Sequence, residues 1–302
     1  MKIIVTGASG FVGQHLINFF GKNNTEIVSL NLRKKDWKEV FPLKADAIIH
    51  LAGKAHDSSN TSGDSEYYKV NTYLTKSLFD VFLKSDIRDF LYFSSVKAVA
   101  DTVDNILTEE EKANPLTPYG KSKLKAEEYL LSKTLQSGKR LFIFRPCMIH
   151  GPDNKGNLNL LYQIVSKGLP WPLGAFENKR SYCGIENLTF VINEVLMNKN
   201  IDSGIYNLAD DEVISTNVLI QLIAESHNKK AHIIKVPVGL INSLCKLGDV
   251  FKLPLNSERL KKLTESYVVD NTKIKNAISS PLPLKTREGL LRTLKSFDNN
   301  VE

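Results

Sequence analysis

The chain has 302 residues, of which 42% are hydrophobic and 24% are charged, so it is long enough to bury one large core or two smaller ones. No Ser-, Gly- or Pro-rich linker, low-complexity tract or internal repeat divides it, which argues against a disordered protein. The formal net charge is +7, but the lysines are interspersed with acids and form no basic stripe with aromatic residues, so anionic small molecules are expected as ligands and nucleic acid is not.

The first predicted element is an apolar strand at residues 2–5, which leads into the glycine-rich segment 6–13 and then into a helical pattern. Glycine permits a tight turn from strand to helix, lets the backbone approach a pyrophosphate and leaves the helix N-terminal amides facing that anion. In this context the segment predicts a dinucleotide site. The residues assigned to the cofactor here are Gly7, Ser9, Gly10, Phe11, Val12 and Gly13.

Short apolar runs then alternate with amphipathic segments, a pattern that is typical of a parallel sheet covered by helices. The predicted strands are 2–5, 26–30, 47–50, 90–94 and 141–144, and the predicted helices include 66–85 and 119–133. We therefore predict an α/β fold with a Rossmann-type, doubly wound parallel sheet. Such a sheet binds its ligands at the carboxyl ends of the strands.

The end of the second predicted strand bears on the choice of cofactor. An acid at this position binds the ribose hydroxyls of NAD, whereas a nearby arginine accommodates the additional phosphate of NADP. The chain has Asn31 and Arg33 here. NADP(H) is therefore favoured, and NAD(H) stays open because Asn31 can serve either ribose.

Three side chains form a candidate catalytic group. Ser95 follows the fourth predicted strand, and Tyr119 and Lys123 lie four residues apart in the helix that follows the turn 115–118. At that spacing an ammonium can lower the pKa of a phenol from about 10, so that Tyr119 could exchange a proton near neutral pH.

The composition changes after residue 150, where Gly- and Pro-rich connections become frequent. Residues 1–150 are assigned to a dinucleotide-binding domain whose sheet is revisited near 183–210. Residues 151–302 are assigned mainly to a smaller α/β substrate-binding domain. The segment 233–255 is apolar, but polar residues interrupt it too often for a membrane span, so we interpret it as a packed cap helix.

No feature of the sequence indicates a membrane or secreted destination. The N-terminus lacks the pattern of a signal peptide, and no stretch approaches the roughly 20 apolar residues of a membrane span. The three cysteines, Cys147, Cys183 and Cys245, are widely spaced, so buried thiols are expected rather than disulfides or a metal site. A cytoplasmic location is therefore expected.

The glycine motif followed by Ser95, Tyr119 and Lys123 resembles the extended short-chain dehydrogenase/reductase family, which comprises nucleotide-sugar epimerases, dehydratases and reductases. The resemblance covers nearly the whole chain. The segment 46–53 is similar to the family's fourth strand and cofactor loop, and Asn71 is similar to an inward-facing asparagine of a family helix. Arg145-Pro146, followed by Gly151-Pro152, completes the pattern.

The resemblance implies a role for each of these residues. Ser95 would polarise the reacting oxygen, Tyr119 would exchange its proton, and Lys123 would bind the nicotinamide ribose while hydride passes between a sugar carbon and the nicotinamide. The other residues expected to contact the cofactor are Leu51, Ala52, Gly53 and Asn71. The residues expected to contact a nucleotide-sugar substrate are Lys97, Asn157, Leu158, Arg180 and Arg259, with Arg180 as the bidentate phosphate partner. A homodimer through a helix pair is expected from the resemblance alone.

Departures from the family pattern narrow the reaction. Dehydratases of the family carry an Asp-Glu pair after the strand-end hydroxyl, whereas this chain has Val96-Lys97, so dehydration is not expected. Val99-Ala100 and Met148 replace residues that are usual in UDP-galactose-type epimerases, which argues against an epimerase of that type. The segment 168–181 resembles the branch associated with bacterial surface polysaccharide synthesis.

We therefore predict redox chemistry at C4 of a UDP-linked N-acetylhexosamine, with a 4-ketoreductase slightly favoured because NADPH suits reduction. The first alternative is a UDP-sugar 4-epimerase with tightly bound NAD. The second is a non-catalytic NADP-sensing protein, which would tolerate the loss of the Tyr119 hydroxyl.

Overall fold

A six-stranded parallel sheet forms the centre of the fold, in a computed structural model that describes residues 1–54, 63–154, 158–251 and 256–298. The strands are β1 (Lys2–Thr6), β2 (Glu26–Leu30), β3 (Ala47–His50), β4 (Asp89–Phe93), β5 (Ile106–Leu107), β6 (Arg140–Pro146), β7 (Met148–His150), β8 (Tyr182–Gly184), β9 (Gly204–Leu208) and β10 (Val268–Val269). The central sheet has the order β2-β1-β3-β4-β6-β9, and β7-β8 and β5-β10 form two short parallel pairs.

Helices connect these strands. They are α1 (Phe11–Lys22), α2 (Asp64–Tyr67), α3 (Leu74–Leu83), α4 (Pro118–Leu131), α5 (Leu158–Ser166), α6 (Ile185–Met197), α7 (Thr216–Ser226), α8 (Val238–Phe251), α9 (Ser257–Thr264), α10 (Thr272–Ile278) and α11 (Thr286–Asp298). A π-helical turn (Tyr68–Tyr73) joins α2 to α3, and a 3-10 turn (Val96–Ala98) follows β4.

Alternate residues of the central strands pack against opposite layers of helices, because side chains alternate along a strand. Ile3 and Val5 of β1 belong to a core shared with α1 and α6, whereas Ile4 belongs to a core shared with α3 and α4. Every residue of β3, β4 and β6 is buried, as expected of parallel strands that are covered on both faces. The predicted α/β fold with a doubly wound parallel sheet is confirmed.

The direction of winding reverses at β1, which has β2 on one side and β3 on the other. Residues 31–46, all of them described, form turns rather than a strand, and Trp37 and Phe41 of this segment pack into the core. The segment 46–53 therefore contains the third strand of this chain, although it resembles the family's fourth. In doubly wound sheets, ligands bind in the crevice at such a reversal.

The chain after residue 150 contributes to two units. A third core joins α5, α7, α8, α9 and α11 into a smaller C-terminal unit. In contrast, α6 packs in the first core, β9 pairs with β6 in the central sheet, and Ile274 and Ile278 of α10 also belong to the first core.

Two predicted helices differ from the observed ones. The predicted helix 66–85 is divided by the π-helical turn, in which Asn71 and Thr72 are buried. A turn of this length is too short to show a hydrophobic pattern in the sequence. The predicted helix 233–255 begins only at Val238, because Pro237 cannot occupy a helix interior and its carbonyl instead accepts the first helical hydrogen bonds. Ile233 before it forms a β-bridge with Trp171.

Within the described ranges, no helix is both long and apolar enough to cross a bilayer. In the same part of the chain, no three His, Cys, Asp or Glu side chains come together as a metal site. Cys147, Cys183 and Cys245 are buried, and burial raises the pKa of the Cys147 and Cys183 thiols well above the ordinary range.

A buried ion pair ties the start of β4 to β6. The Asp89 carboxylate, which is fully buried, accepts bonds from Nε and Nη2 of Arg140 at 2.8 and 2.9 Å and from Nη2 of Arg88 at 2.8 Å. Arg140 also donates to the carbonyls of Val195 and Asn198 around the end of α6. These contacts join two central strands to a covering helix.

We expect the Asp89→Ala substitution to lower the free energy of unfolding by about 3–5 kcal/mol, because it leaves the Arg140 charge buried without its carboxylate. Urea denaturation followed by circular dichroism measures the change. The control is Glu26→Gln, which removes the exposed ion pair with Lys2 and should cost at most about 1 kcal/mol. Equal losses in the two variants would contradict this account of the buried pair.

Candidate active site

The glycine loop after β1 is shaped by two close backbone approaches. Gly7 has a φ of 71°, and a Cβ at this position would lie 2.7 Å from the Ala52 backbone nitrogen. A Cβ at Gly13 would lie 2.4 Å from the Gly7 carbonyl oxygen. Only glycine fits at either position, and α1 begins directly after Gly10 with no acidic residue in its first turn. The loop therefore suits a phosphate at the helix N-terminus.

A buried hydrogen-bond chain runs beneath this loop through His50. The Ala52 N–H donates to Thr6 Oγ1 at 3.2 Å, and Thr6 Oγ1 lies 2.7 Å from His50 Nδ1. On the other side of the ring, His50 Nε2 lies 2.8 Å from Thr75 Oγ1, whose hydroxyl donates to the Asn71 carbonyl. Because the Thr75 proton is used there, Nε2 carries the ring proton and Nδ1 accepts from Thr6. The chain thus runs in one direction through a neutral imidazole.

The protonation of His50 follows from its surroundings. Burial, and after it the positive charge of Lys123, lower the pKa of His50 to about 3. The ring therefore stays neutral at physiological pH. Its position in the hydrogen-bond chain joins the ends of β1 and β3 to α3 and to the π-helical turn.

The side-chain carboxamide of Asn71 forms three hydrogen bonds with other residues of the protein. Its Oδ1 accepts from the Lys54 N–H at 2.7 Å, and its Nδ2 donates to the Lys54 carbonyl and to Ser122 Oγ. A Cβ at Gly53 would lie 3.1 Å from Asn71 Oδ1 and 3.2 Å from Lys123 Nζ. Asn71 therefore holds the loop after β3 beside Lys123, while its contact with a cofactor stays a prediction.

The three candidate catalytic side chains meet at the carboxyl edge of the sheet. Ser95 follows β4, and its Oγ accepts from the Lys97 N–H at 3.2 Å. Thr117 caps α4 by accepting from the Gly120 N–H, which fixes the first turn of the helix that carries Tyr119. The Tyr119 and Ser95 side chains are hydrogen-bonded to each other.

Lys123 is buried one turn further along α4. Its Nζ donates to the Phe93 carbonyl at 2.7 Å and lies 5.0 Å from the centre of the Tyr92 ring. Burial lowers the pKa of Lys123 to about 8, and the Glu127 carboxylate opposes this shift. The ammonium is therefore the main form at neutral pH.

The expectation that Lys123 brings the pKa of Tyr119 toward neutrality is wrong for this structure. Burial raises the pKa of Tyr119, and the hydrogen bond to Ser95 only partly opposes the rise. The Lys123 ammonium is instead held by the Phe93 carbonyl. The Tyr119 phenol consequently keeps its proton at neutral pH.

A buried carboxylate, to which no role is assigned from the sequence, supports this group. Glu127 accepts from Nη2 of Arg145 at 2.6 Å and from the Ser94 hydroxyl, next to Ser95. Its position four residues after Lys123 on α4 is the sequence signal that could have identified it. The Arg145-Pro146 motif therefore has a structural partner in α4, the helix that carries Tyr119 and Lys123.

Asn31 and Arg33 lie after β2, and both are exposed. The Asn31 Oδ1 accepts from the Arg33 N–H at 3.0 Å, so the carboxamide NH2 of Asn31 and the guanidinium of Arg33 are the groups with protons to donate. Donors suit a phosphate, which only accepts hydrogen bonds at its ionised oxygens.

The substrate candidates Lys97 and Arg180 lie close enough for their charges to interact. Lys97 Nζ donates to the Asp101 carbonyl at 2.7 Å and lies 4.2 Å from the centre of the Tyr267 ring. Burial lowers the pKa of Lys97, and the carboxylates of Glu265 and Asp101 oppose the shift. Lys97 is thus a partly buried cation, two residues after Ser95 in the chain.

Arg180 is held in a β-bridged segment between Ile214 and Tyr267. Its Nη2 lies 3.5 Å from Glu265 Oε1. Its Nε is buried without a hydrogen-bond partner among the described residues. A buried donor without a partner is costly, so this atom fits an anionic group of a ligand.

Two of the remaining substrate candidates lie in the C-terminal unit. The Leu158 side chain is buried in the C-terminal core, and Arg259 is exposed in the first turn of α9. Asn157 lies outside the described residues. Their roles stay predictions.

Comparisons with known proteins agree with this geometry. A family model described as the NAD dependent epimerase/dehydratase family matches residues 3–209. A UDP-glucose 4-epimerase of Vibrio cholerae is 27% identical, over 98% of this chain and 95% of that protein. An N-acetyl-alpha-D-glucosaminyl-diphospho-ditrans,octacis-undecaprenol 4-epimerase of Escherichia coli is 27% identical, over 97% of this chain and 94% of that protein. The structure of RMD from Pseudomonas aeruginosa complexed with NADPH has a TM-score of 0.74 at 22% identity and covers 98% of each chain.

The protonation of His50 makes stability depend on pH. Unfolding returns its pKa from about 3 to the ordinary histidine value of 6.5, so the unfolded chain binds one more proton as the pH falls through that range. Between about pH 7 and pH 5, the wild type should lose about 2 kcal/mol more of its free energy of unfolding than a His50→Gln variant, whose amide can keep both hydrogen bonds. Urea titrations at the two pH values measure this difference.

The control for that measurement is His232→Gln, which alters an exposed histidine. It should show the same pH dependence as the wild type. If the His50→Gln variant and the wild type lost stability in parallel, His50 would not be the neutral, buried group described above.

Proposed function

The chain belongs to the NAD-dependent epimerase/dehydratase family of enzymes, within the extended short-chain dehydrogenases/reductases, and on that premise we propose that it reduces the C4 carbonyl of a UDP-linked N-acetylhexosamine derivative with NADPH. The proposal is carried by the hydrogen bond between Ser95 and Tyr119 beside the buried Lys123, at the sheet edge that also bears the glycine loop. The proposed reaction belongs to surface polysaccharide synthesis in the cytoplasm.

When bound, the nicotinamide supplies the hydride for a carbonyl carbon. Ser95 and Tyr119 would hydrogen-bond the carbonyl oxygen, and Tyr119 would transfer its phenolic proton to the oxygen as the alkoxide forms. Because burial raises the pKa of Tyr119, the phenol is protonated at neutral pH, which is the form that reduction needs. Lys123 would bind the ribose through its ammonium, which the Phe93 carbonyl orients.

The substrate would be held through its diphosphate. Arg180 has a buried Nε with no partner in the described part of the chain, and Lys97 supplies a second cation nearby. Lys97 occupies the place of the acidic pair that dehydration requires, so a carbonyl there would be reduced without elimination of water. A nucleotide sugar has the diphosphate that such a pair of cations recognises.

A 4-epimerase with tightly bound NAD is the second candidate, and the two relatives at 27% identity favour it. An epimerase first oxidises the substrate, which requires Tyr119 to act as a base. One of these relatives acts on a sugar that a diphosphate links to undecaprenol, so epimerisation is to be assayed with UDP-linked and polyprenyl-diphosphate-linked N-acetylglucosamine. A non-catalytic sensor is not supported, since these relatives are enzymes.

Two assays distinguish the candidates. Oxidation of NADPH by the purified protein with a UDP-4-keto-6-deoxy-N-acetylhexosamine supports the reductase. Interconversion of N-acetylglucosamine and N-acetylgalactosamine on either carrier without added cofactor would instead establish the epimerase and overturn our first choice. A homodimer stays a prediction.

The Tyr119→Phe substitution should reduce turnover by about 100-fold or more, because it removes the proton donor. NADPH binding, measured by fluorescence, should persist. The matched control is Tyr129→Phe on the same helix, whose hydroxyl donates to Asp80 at 2.6 Å, and it should keep wild-type turnover. Full activity in Tyr119→Phe would contradict the proposed role.

The Arg33→Ala substitution should raise the KM for NADPH by about tenfold or more and leave that for NADH little changed, because only NADPH has the additional phosphate. Steady-state kinetics with the two cofactors measure the ratio. The exposed Lys35 provides the control, and Lys35→Ala should leave the ratio unchanged. A parallel rise for both cofactors in Arg33→Ala would contradict the proposed preference.

A further inference from the structure

The outer side of α8 exposes a stripe of large apolar side chains. Ile241, Cys245 and Gly248 form its buried side. The exposed stripe comprises Leu240, Leu244, Leu247 and Phe251, with exposed fractions of 54%, 47%, 54% and 68%. Their spacing of four, three and four residues places them on one face of the helix. Single exposed leucines are common, but a continuous stripe of this kind marks an interaction surface.

The segment that contains α8 is also basic. Residues 227–265 contain eight lysines or arginines and three acids, so this segment has a net charge of +5. Lys230, Lys235, Lys246 and Lys261 of this segment are exposed. The apolar stripe therefore belongs to a segment of net positive charge.

We propose that this apolar and basic surface, which we call the α8 surface, docks onto an anionic lipid bilayer, with α8 lying in the plane of the interface. Apolar residues on one side of a helix enter the headgroup region, and lysines with flexible stems reach the anionic phosphates. At 14 residues, α8 is too short to span a bilayer and long enough to lie on one.

The charge distinguishes this occupant from a second copy of the chain. Two copies joined through the α8 surface would bring two segments of net charge +5 together, and like charges oppose such an association. An anionic bilayer has the complementary charge and accepts the apolar stripe at the same time.

The α8 surface is connected to the substrate side of the candidate active site. The Asp249 carboxylate accepts from the Ser257 N–H and hydroxyl at 2.9 and 2.5 Å, which joins the end of α8 to the start of α9. At the other end of α9, the Nδ2 of Asn178 donates to the carbonyls of Leu263 and Glu265. Asn178 precedes Arg180 by two residues in the chain. Docking would therefore hold the Arg180 side of the site at the lipid surface.

Vesicle co-sedimentation of the full chain tests this proposal. The protein should sediment with vesicles of phosphatidylcholine containing about one third phosphatidylglycerol, less with phosphatidylcholine alone, and less as salt is added. A Leu244→Glu, Leu247→Glu double variant should bind the anionic vesicles about tenfold or more weakly. Its melting temperature and its turnover of a water-soluble substrate should match those of the wild type, since both side chains are exposed and neither belongs to the candidate active site.

The control is Leu131→Glu, which changes a leucine of similar exposure, 51%, at the end of α4. It should bind vesicles as the wild type does. Failure of the wild type to sediment with anionic vesicles would overturn the proposal, as would an equal loss in Leu131→Glu. Light scattering that shows a dimer dissociated by the double variant, without vesicle binding, would assign the surface to a second copy and also overturn it.

Discussion

A neutral, buried histidine holds together the chain segments that form the cofactor side of the candidate active site. His50 accepts from Thr6 at the end of β1 and donates to Thr75 on α3, and the chain continues to the Ala52 amide and the Asn71 carbonyl. The side chains of Thr6, His50 and Thr75 are buried, so the loss of one partner would leave an unsatisfied polar group. The close approach of Gly7 to Ala52 depends on the same alignment of β1 and β3.

A second buried polar group, which contains an ion pair, holds α4, the helix that carries Tyr119 and Lys123. Glu127 lies between the Arg145 guanidinium and the Ser94 hydroxyl and favours the charged form of Lys123. Burial of the ion pair costs desolvation, which several hydrogen bonds of good geometry offset. The same carboxylate thus anchors α4 to β6, positions the residue before Ser95 and keeps Lys123 protonated near neutral pH.

Residues whose role depends on local pattern could be predicted from the sequence, and those whose role depends on distant contacts could not. Apolar runs predicted the central strands, because a parallel strand that is buried on both faces consists almost entirely of apolar residues. The π-helical turn around Asn71 could not be predicted. It adds one residue to a single helical turn, which is too short to show a hydrophobic pattern of its own. The buried Nε of Arg180 and its bridges to Ile214 and Tyr267 join residues far apart in the chain, and no spacing indicates them.

The position of the positive charge changes what the net charge of +7 implies. From composition alone, the excess of lysine and arginine predicts that the ligands of this protein are anionic small molecules. Residues 227–265, around an exposed apolar helix, have a net charge of +5, whereas the cations Lys97 and Arg180 of the candidate site are accompanied by the carboxylate of Glu265. We therefore expect substrate recognition to depend on these two cations, one of which has a buried donor atom, and not on the net charge of the whole chain.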